Sequence, residues 1–292
     1  MRYLVAYSAD SGGRAALAVA RLFAGDVTLT VVTITPETWG YPSSARVDAE
    51  YAQFLSEHAA KALEEARQFL GEDVEAEFLA RVARSTIEGI LDVIKELDAK
   101  MVILGSARSG PFGRFVGGSI SDSLLHVAPV PVALAPRGYR PSRQTHVQRI
   151  TCCFAGRGHT GATVAAAAEL ARRHKVPLRL VTGVVRDRQM YPAPVGWQSE
   201  RLVEEQWRSD AAEAQRQILA ILPEGIEATA ELIDGPNWEE ALDKLEWAEG
   251  EVLVIGSSRL GLGRTFLGSN ATKIVRSSPV PTIVVPGAAG RS

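Results

Sequence analysis

The sequence predicts an α/β protein built from two copies of one domain, each a parallel sheet with helices on both faces. Short apolar segments alternate with helical patterns, which is typical of a doubly wound sheet. The second half also repeats the first at an offset near 150 residues. The length of 292 residues agrees with two domains of ordinary size. The net charge of −2 gives no electrostatic case for binding nucleic acid or an anionic membrane.

The repeat is clearest around a glycine-rich segment. GSARSGPFGRFVGGS at 105–119 corresponds to GSSRLGLGRTFLGS at 256–269, which is one residue shorter. Each segment follows an apolar strand and precedes a short helical stretch. A second matching block then follows, APVPVALAP at 128–136 and SPVPTIVVP at 278–286. The period is far longer than that of a solenoid, so it indicates a duplicated domain.

The domain boundaries follow from this repeat. We expect domains at 1–138 and 147–292, joined by a linker at about 139–146 that is polar and interrupted by Pro.

Each half has the same order of elements. An apolar strand runs through a glycine-containing turn into an Ala-rich helix, and a second strand and a long loop follow. A long charged helix comes next, on which Tyr51, Phe54, Leu55 and His58 share one face. A third strand, a short helix, the strand before the glycine-rich loop, another helix and a last strand complete the half. The expected strands are 2–7, 27–34, 73–81 and 101–104, then 149–154, 178–185, 226–233 and 251–255, and the expected helices are 13–24, 47–70, 86–98 and 118–127, then 161–174, 199–221, 237–248 and 268–277.

The glycine-rich loop has the features of an anion site. It begins where a strand ends and finishes at a helix N-terminus, where free N–H groups and the helix dipole favour negative charge. Gly118-Ser119 and Gly268-Ser269 open these helices. Arginines in the loops would add charge-assisted contacts, namely Arg108, Arg114, Arg259 and Arg264. The alternative is that the glycines only shape turns and the serines only cap helices, since neither a P-loop motif nor G-x-G-x-x-G occurs.

The combined pattern resembles the universal stress proteins in the tandem form common among actinobacteria. It reads strand, G-x-x-[GR]-x9-G-S, helix, P-V-P and strand, and the resemblance covers nearly the whole chain. It implies a Rossmann-like, adenine nucleotide alpha hydrolase-like fold with a five-stranded parallel sheet of order 3-2-1-4-5. It also implies pairing through the last strand, either between the two halves of one chain or in a homodimer. In the ATP-binding branch of the family the loop cradles ribose and phosphates. There an Asp in the first turn contacts the nucleotide, and adenine meets the backbone of the second strand.

The first half matches this motif at most positions. The resemblance assigns phosphate and ribose contacts to Gly105, Ser106, Gly118 and Ser119, with Arg108 at the position of the second glycine. Ser8 stands at the Asp position, with Asp10 two residues further on as a substitute. Val32 and Thr33 lie where adenine would be read.

The second half departs further from the motif. Gly256, Gly268 and Ser269 match, while Arg259 replaces the second glycine and Ala155 stands at the Asp position. We therefore expect nucleotide binding in the first half before the second.

The resulting expectation is a cytoplasmic stress-response protein that binds ATP or AMP as a regulatory module, with Mg²⁺ as a companion of ATP. A second hypothesis is a scaffold without nucleotide whose two halves form a pseudo-dimer that binds protein partners. A third is a slow ATPase, although no nucleophile–base pair is recognisable and no catalytic residue is assigned. No segment approaches the length of a membrane span, so no membrane partner is expected.

Two further features favour packing over chemistry. Trp238 and Trp247 offer a stacking platform for a base, but their helical spacing favours packing. Cys152 and Cys153 are adjacent in an expected core strand, where they point to opposite faces. This excludes a disulfide framework and a zinc site, and it predicts that both behave as small hydrophobic residues.

Overall fold

A computed structural model describes residues 1–37, 45–108, 111–154, 161–185, 197–260 and 264–287. The chain divides into two compact units, Met1–His146 and Val147–Ser292. The expected linker therefore belongs to the first unit.

The first unit contains five strands and four helices among its described residues. In chain order these are β1 (Arg2–Ala6), α1 (Ser11–Leu22), β2 (Thr28–Pro36), α2 (Ala45–Leu70), β3 (Ala76–Ala83), α3 (Thr86–Glu96), β4 (Met101–Gly105), α4 (Ser119–Val127) and β5 (Val132–Ala135).

The second unit repeats this order and adds two short strands. Its elements are β6 (Arg149–Cys153), α5 (Gly161–His174), β7 (Leu178–Val185), α6 (Trp197–Ile221), β8 (Ala228–Gly235), α7 (Trp238–Asp243), β9 (Glu251–Gly256), β10 (Ser258–Leu260), β11 (Arg264–Phe266), α8 (Ser269–Ser277) and β12 (Thr282–Val285).

Both units have the strand order expected from the resemblance. The first sheet runs β3-β2-β1-β4-β5 and the second runs β8-β7-β6-β9-β12, and neighbouring strands within each are parallel. Numbered within its own unit, each order is 3-2-1-4-5. The prediction of two tandem doubly wound domains is confirmed. The central strands are buried along nearly their whole length because helices cover both faces of each sheet.

Local sequence explains where the helices begin. Asp10 caps α1 by accepting a hydrogen bond from Gly13 N at 2.7 Å. Ser85 caps α3 in the same way, and Asn237 caps α7. These side chains satisfy N–H groups that have no partner within their own helix.

Three features of the helices and loops differ from the sequence-based expectation. Helix α7 ends at Asp243 instead of continuing to 248, because the Trp247 indole folds back and donates to Leu242 O at 3.0 Å. The glycine-rich loop of the second unit carries the antiparallel pair β10–β11, whose three-residue strands are too short to show a periodicity in the sequence. The described residues at the start of α2 are mostly exposed, including Phe54 at 61%, and Ala59 is the first of them that is buried.

A buried ion-pair cluster lies at the amino end of the second sheet. The Glu251 side chain is fully buried and accepts hydrogen bonds from Arg149 Nη2 at 2.6 Å and from Arg179 Nη2 at 2.7 Å. Thr151 Oγ1 donates to the same carboxylate. The corresponding region of the first unit carries a more exposed pair, Arg2 with Glu77. This cluster therefore belongs to the packing of the second unit, at the sheet end opposite the glycine-rich loop.

Candidate functional site

The candidate site of the first unit lies at the carboxyl ends of β1 and β4. These two strands are neighbours in the middle of the sheet. The chain leaves β1 toward β2 and leaves β4 toward β5, so the order reverses between them and α1 and α4 cover opposite faces. Such a point opens a crevice between the two turns that follow the strands, and open α/β sheets bind their ligands there. The turn at 7–10 and the described residues of the loop, 105–108 and 111–118, border this crevice.

The base of the crevice is a contact between two backbones. A Cβ built at Gly105 would lie 2.0 Å from Gly12 O, and a Cβ at Gly12 would lie 2.4 Å from Ser106 O. Only glycine permits so close an approach of β4 to the start of α1. Gly105 is therefore occupied in packing the two turns together. Gly12, which contributes as much to this contact, was not singled out from the sequence.

Ser106 closes the glycine-rich loop onto itself. Its side chain accepts a hydrogen bond from Val116 N at 2.9 Å and donates to Val116 O at 3.3 Å, and Ser106 is only 4% exposed. Ala107 N adds a hydrogen bond to Val116 O at 2.8 Å. Ser106 thus holds the two arms of the loop together, and its hydroxyl points into the loop.

The outer part of the loop is fixed by the segment after β5. Gly113 N donates to Arg137 O, and Arg137 N donates to Arg114 O, each at 2.9 Å. The Arg137 guanidinium lies over the Phe112 ring, 4.4 Å from its centroid. Arg114 therefore contributes backbone contacts that fix the position of the loop.

Gly118 combines open space with an ordinary backbone conformation, whereas Gly113 also has open space but a φ of +76° that favours glycine. Among the described residues, apart from its chain neighbours, a Cβ at Gly118 would have one heavy atom within 4 Å, Ala107 Cβ at 3.8 Å. Its φ of −120° is open to any residue, so neither packing nor backbone conformation requires glycine here. Ser119 is the exposed first residue of α4, and the N–H groups of this first turn lack intrahelical acceptors. A small anion fits this combination of open space and positive helix end.

Asp10 and Arg108 meet across the crevice. Arg108 Nε donates to Asp10 Oδ2 at 3.2 Å, which joins the turn after β1 to the loop after β4. The other carboxylate oxygen of Asp10 caps α1. Ser8 is exposed and its carbonyl accepts from Asp10 N at 2.7 Å. Next to this turn, burial raises the pKa of the Tyr7 hydroxyl, and the negative charge of Glu65 raises it further.

The backbone of Val32 is already used by the sheet. Val32 pairs with Ala6 on β1, and its carbonyl accepts from Tyr7 N at 2.9 Å. Thr33 donates its hydroxyl to Tyr7 O at 3.2 Å. Backbone groups alternate with a period of two along a strand, so Ile34 turns its N–H and C=O to the same edge as Val32, beyond the end of β1. Ile34 therefore offers a further backbone position toward the crevice, and the adenine contact that the resemblance assigns to Val32 and Thr33 stays a prediction.

Carboxylates border the crevice without forming a metal cluster. Asp122 lies in the first turn of α4, and its Oδ1 would be 2.2 Å from a Cβ at Gly117. Asp10 lies on the other side. Within the described ranges, no group of three His, Cys, Asp or Glu side chains gathers to hold a metal ion.

The loop of the second unit is built differently. A Cβ at Gly256 would lie 2.3 Å from Thr163 Oγ1, so this glycine also serves close packing. Ser257 Oγ donates to Val285 O at 3.1 Å and accepts from Gly287 N at 3.2 Å, so it joins the loop to the end of β12. The backbone of Arg259 pairs with Thr265 in the β10–β11 hairpin.

Of the remaining residues predicted for the second site, the structure describes some and not others. Gly268 caps α8 and Ser269 begins that helix. Ala155 and the side chains of Arg259 and Arg264 lie outside the described residues.

The tryptophans and cysteines of the second unit pack within it. Trp238 is 8% exposed, and its ring would be 2.5 Å from a Cβ at Gly183 on β7. The Arg179 guanidinium lies 5.1 Å from the centroid of the Trp247 ring. Both cysteines are buried, and burial raises the pKa of the Cys153 thiol to about 12. These side chains are therefore engaged in the packing of the unit.

Comparison with known proteins gives the same result for both halves. The model of the universal stress protein family matches residues 1–136 and again residues 146–286. The chain belongs to the universal stress protein family. Universal stress proteins of Mycobacterium tuberculosis and Mycobacterium bovis are each 39% identical over 297 aligned residues, covering 98% of this chain and all of theirs. A crystal structure of a universal stress protein from Archaeoglobus fulgidus superposes with a TM-score of 0.65 at 18% identity, covering 98% of each chain.

The similarity of this tandem universal stress protein to its mycobacterial relatives therefore extends through both of its units. None of its described helices is long and apolar enough to cross a membrane. Its two loops are not equivalent, because open space lies beside Gly118 whereas the second loop folds into a hairpin.

Proposed function

We propose that this universal stress protein binds an adenine nucleotide, ATP or AMP, in the crevice of its first unit and acts as a regulatory module in a stress response. The observation that carries the proposal is the open space beside Gly118 at the start of α4. Gly105 and Gly12 are explained by packing, but no contact with the described residues of the unit requires glycine at 118. A phosphate group accounts for it, since a phosphate needs close access to the N–H groups of a helix end.

The two ends of the nucleotide would use different elements. The phosphates would lie against Gly118 and Ser119, with Arg108 within reach. The base would lie toward the carboxyl end of β2, where the N–H and C=O of Ile34 offer a donor and an acceptor side by side. Adenine presents the complementary pair on one edge, a ring nitrogen acceptor and an amino donor. Ser106 and Gly105 would support the loop from beneath.

We propose one nucleotide per chain, bound by the first unit. The support is the hairpin in the second loop and the attachment of Ser257 to the end of β12. These features give the second loop a structure of its own that differs from the first.

Ligand extraction and calorimetry test this function. Purified protein is denatured and its supernatant examined for absorbance at 260 nm, and emptied protein is titrated with ATP and with AMP. We expect binding with a stoichiometry near one. Gly118→Ala should abolish it, because the new methyl group fills the space beside the helix end. Gly161→Ala is the matched control, since Gly161 begins α5 and a Cβ built there would have no atom of the described residues within 4 Å, its chain neighbours aside.

The competing hypothesis is a scaffold that binds no nucleotide. It is favoured by Ser8 and Arg108, which stand where the ATP-binding branch has Asp and Gly. It predicts no absorbance at 260 nm, no heat on titration, and wild-type behaviour for Gly118→Ala. Recovery of the nucleotide unchanged after hours of incubation would argue against a slow ATPase.

A further inference from the structure

The ion pair between Asp10 and Arg108 spans the crevice in which the proposed nucleotide would bind. It connects the turn after β1 with the loop after β4, the two segments that border the switch point of the sheet. The two partners differ in freedom. The Asp10 side chain is 19% exposed and is held through its second oxygen by Gly13 N, whereas the Arg108 side chain is 74% exposed. Arg108 can therefore leave the pair by side-chain rotation while Asp10 stays in place.

Arg108 has hydrogen-bonding capacity that the pair does not use. Only its Nε contacts Asp10, and both terminal nitrogens are without a partner among the residues that the structure describes. The space beside Gly118 is lined by Ala107, the residue directly before Arg108. The guanidinium does not fill that space, because no Arg108 atom lies within 4 Å of a Cβ at Gly118. Arg108 thus directly follows the residue that lines the space beside Gly118, while its guanidinium contacts Asp10.

We propose that Arg108 selects a ligand that carries a phosphate, and that Asp10 competes with this phosphate for the arginine. The inference rests on the nucleotide binding proposed above. A phosphate offers more charge than one carboxylate and accepts two parallel hydrogen bonds from a guanidinium, so it is the stronger partner. An exposed ion pair stabilises the free protein only weakly, which lets a phosphate displace it. A ligand without phosphate gains nothing from this exchange.

Two substitutions separate the two roles. Asp10→Asn keeps a side chain that caps α1 about as well as Asp and removes the competing charge. We expect it to bind ATP about two- to fivefold more tightly, the size expected when an exposed ion pair need not be broken. Arg108→Gln should bind ATP about tenfold or more weakly, because a charge-assisted contact is lost. Neither substitution should alter the affinity for adenosine, which lacks a phosphate.

The double variant distinguishes competition from a simple change of local charge. If Asp10 acts through Arg108, the gain from Asp10→Asn must be much smaller in the Arg108→Gln background. An equal gain in both backgrounds, or no gain at all, would overturn the proposal. Asp98→Asn is the matched control, because it removes the same charge from an exposed pair with Lys100, just before β4 and so at the end of that strand opposite the crevice.

The design keeps this inference apart from the proposed function. Wild-type protein that binds ATP, together with an Asp10→Asn variant that binds no better, contradicts the competition alone. No ATP binding by the wild type or by any variant contradicts both. Binding by Asp10→Asn but not by the wild type supports both, with Asp10 as an inhibitory contact.

Discussion

Gly105→Ala should destabilise the first unit, although the motif suggests a ligand role for this glycine. The added Cβ would lie 2.0 Å from Gly12 O and 2.3 Å from Gly12 C, where real Cβ contacts essentially never fall below 3.0 Å. Backbone must therefore move by roughly 1 Å at the junction of β4 and α1. Overpacking of this kind costs about 1–3 kcal/mol, and backbone yields less easily than a side chain, which favours the upper end. Alanine also reduces the conformational entropy of the unfolded chain, which stabilises the folded protein by about 0.4–1 kcal/mol. We therefore expect the free energy of unfolding to fall by about 2 kcal/mol in total.

Urea unfolding followed by circular dichroism measures this loss, and hydrogen exchange of peptides from β1, α1 and β4 locates it in the first unit. Gly118→Ala is the comparison, because its Cβ meets only Ala107 Cβ at 3.8 Å. We expect that variant to stay within about 0.5 kcal/mol of the wild type, as an open site requires. Equal stability of Gly105→Ala and the wild type would refute the packing role assigned to Gly105. An equal loss in both variants would refute the distinction between the two glycines.

Three other predictions concern the second unit. Glu251→Gln should lower the free energy of unfolding of the second unit in urea by about 3 kcal/mol, because Arg149 and Arg179 lose a buried counter-charge. Glu77→Gln, at the exposed ion pair of the first unit, is the control and should cost less than about 1 kcal/mol. Similar losses for both would contradict the role of burial. Gly183→Ala should displace the Trp238 ring, because the added Cβ would lie 2.5 Å from that ring. The displaced indole should emit fluorescence at longer wavelength, and an unchanged spectrum would count against this packing. Cys152 and Cys153 should not react with a thiol reagent at pH 8 until urea unfolds the unit, because both are buried and the pKa of the Cys153 thiol is raised to about 12. Fast reaction of the folded protein would contradict their burial.

Much of the architecture could be read from residue pattern. The alternation of apolar strands with helical segments is a local signal, and the duplicated G-S and P-V-P blocks made it visible twice. Helix starts at Asp10, Ser85 and Asn237 are set by side chains that bond to N–H groups three residues away. The helix expected to run to 248 ended at Asp243, because Trp247 returns to a carbonyl of that helix through a contact that no periodicity reveals.

Assigning roles to the site residues required the fold. Gly105, Ser106, Gly118 and Ser119 form one motif in the sequence, but Gly105 packs against Gly12 and Ser106 closes the loop. Gly118 borders open space, although it is the same residue type in the same motif.

The sequence by itself determined that the chain holds two similar domains of alternating strands and helices, since strand, helix and cap signals depend on neighbours a few residues apart. Its duplicated motifs also carried the resemblance to the universal stress proteins. Only the tertiary structure brought Asp10 and Arg108, separated by 98 positions, into one ion pair across the crevice. It also showed that Val32 pairs with Ala6, the last residue of β1, and that β2 continues beyond this pair to Pro36. Such contacts depend on where two strands end relative to each other, and the strand register that sets this is fixed by packing of the whole sheet.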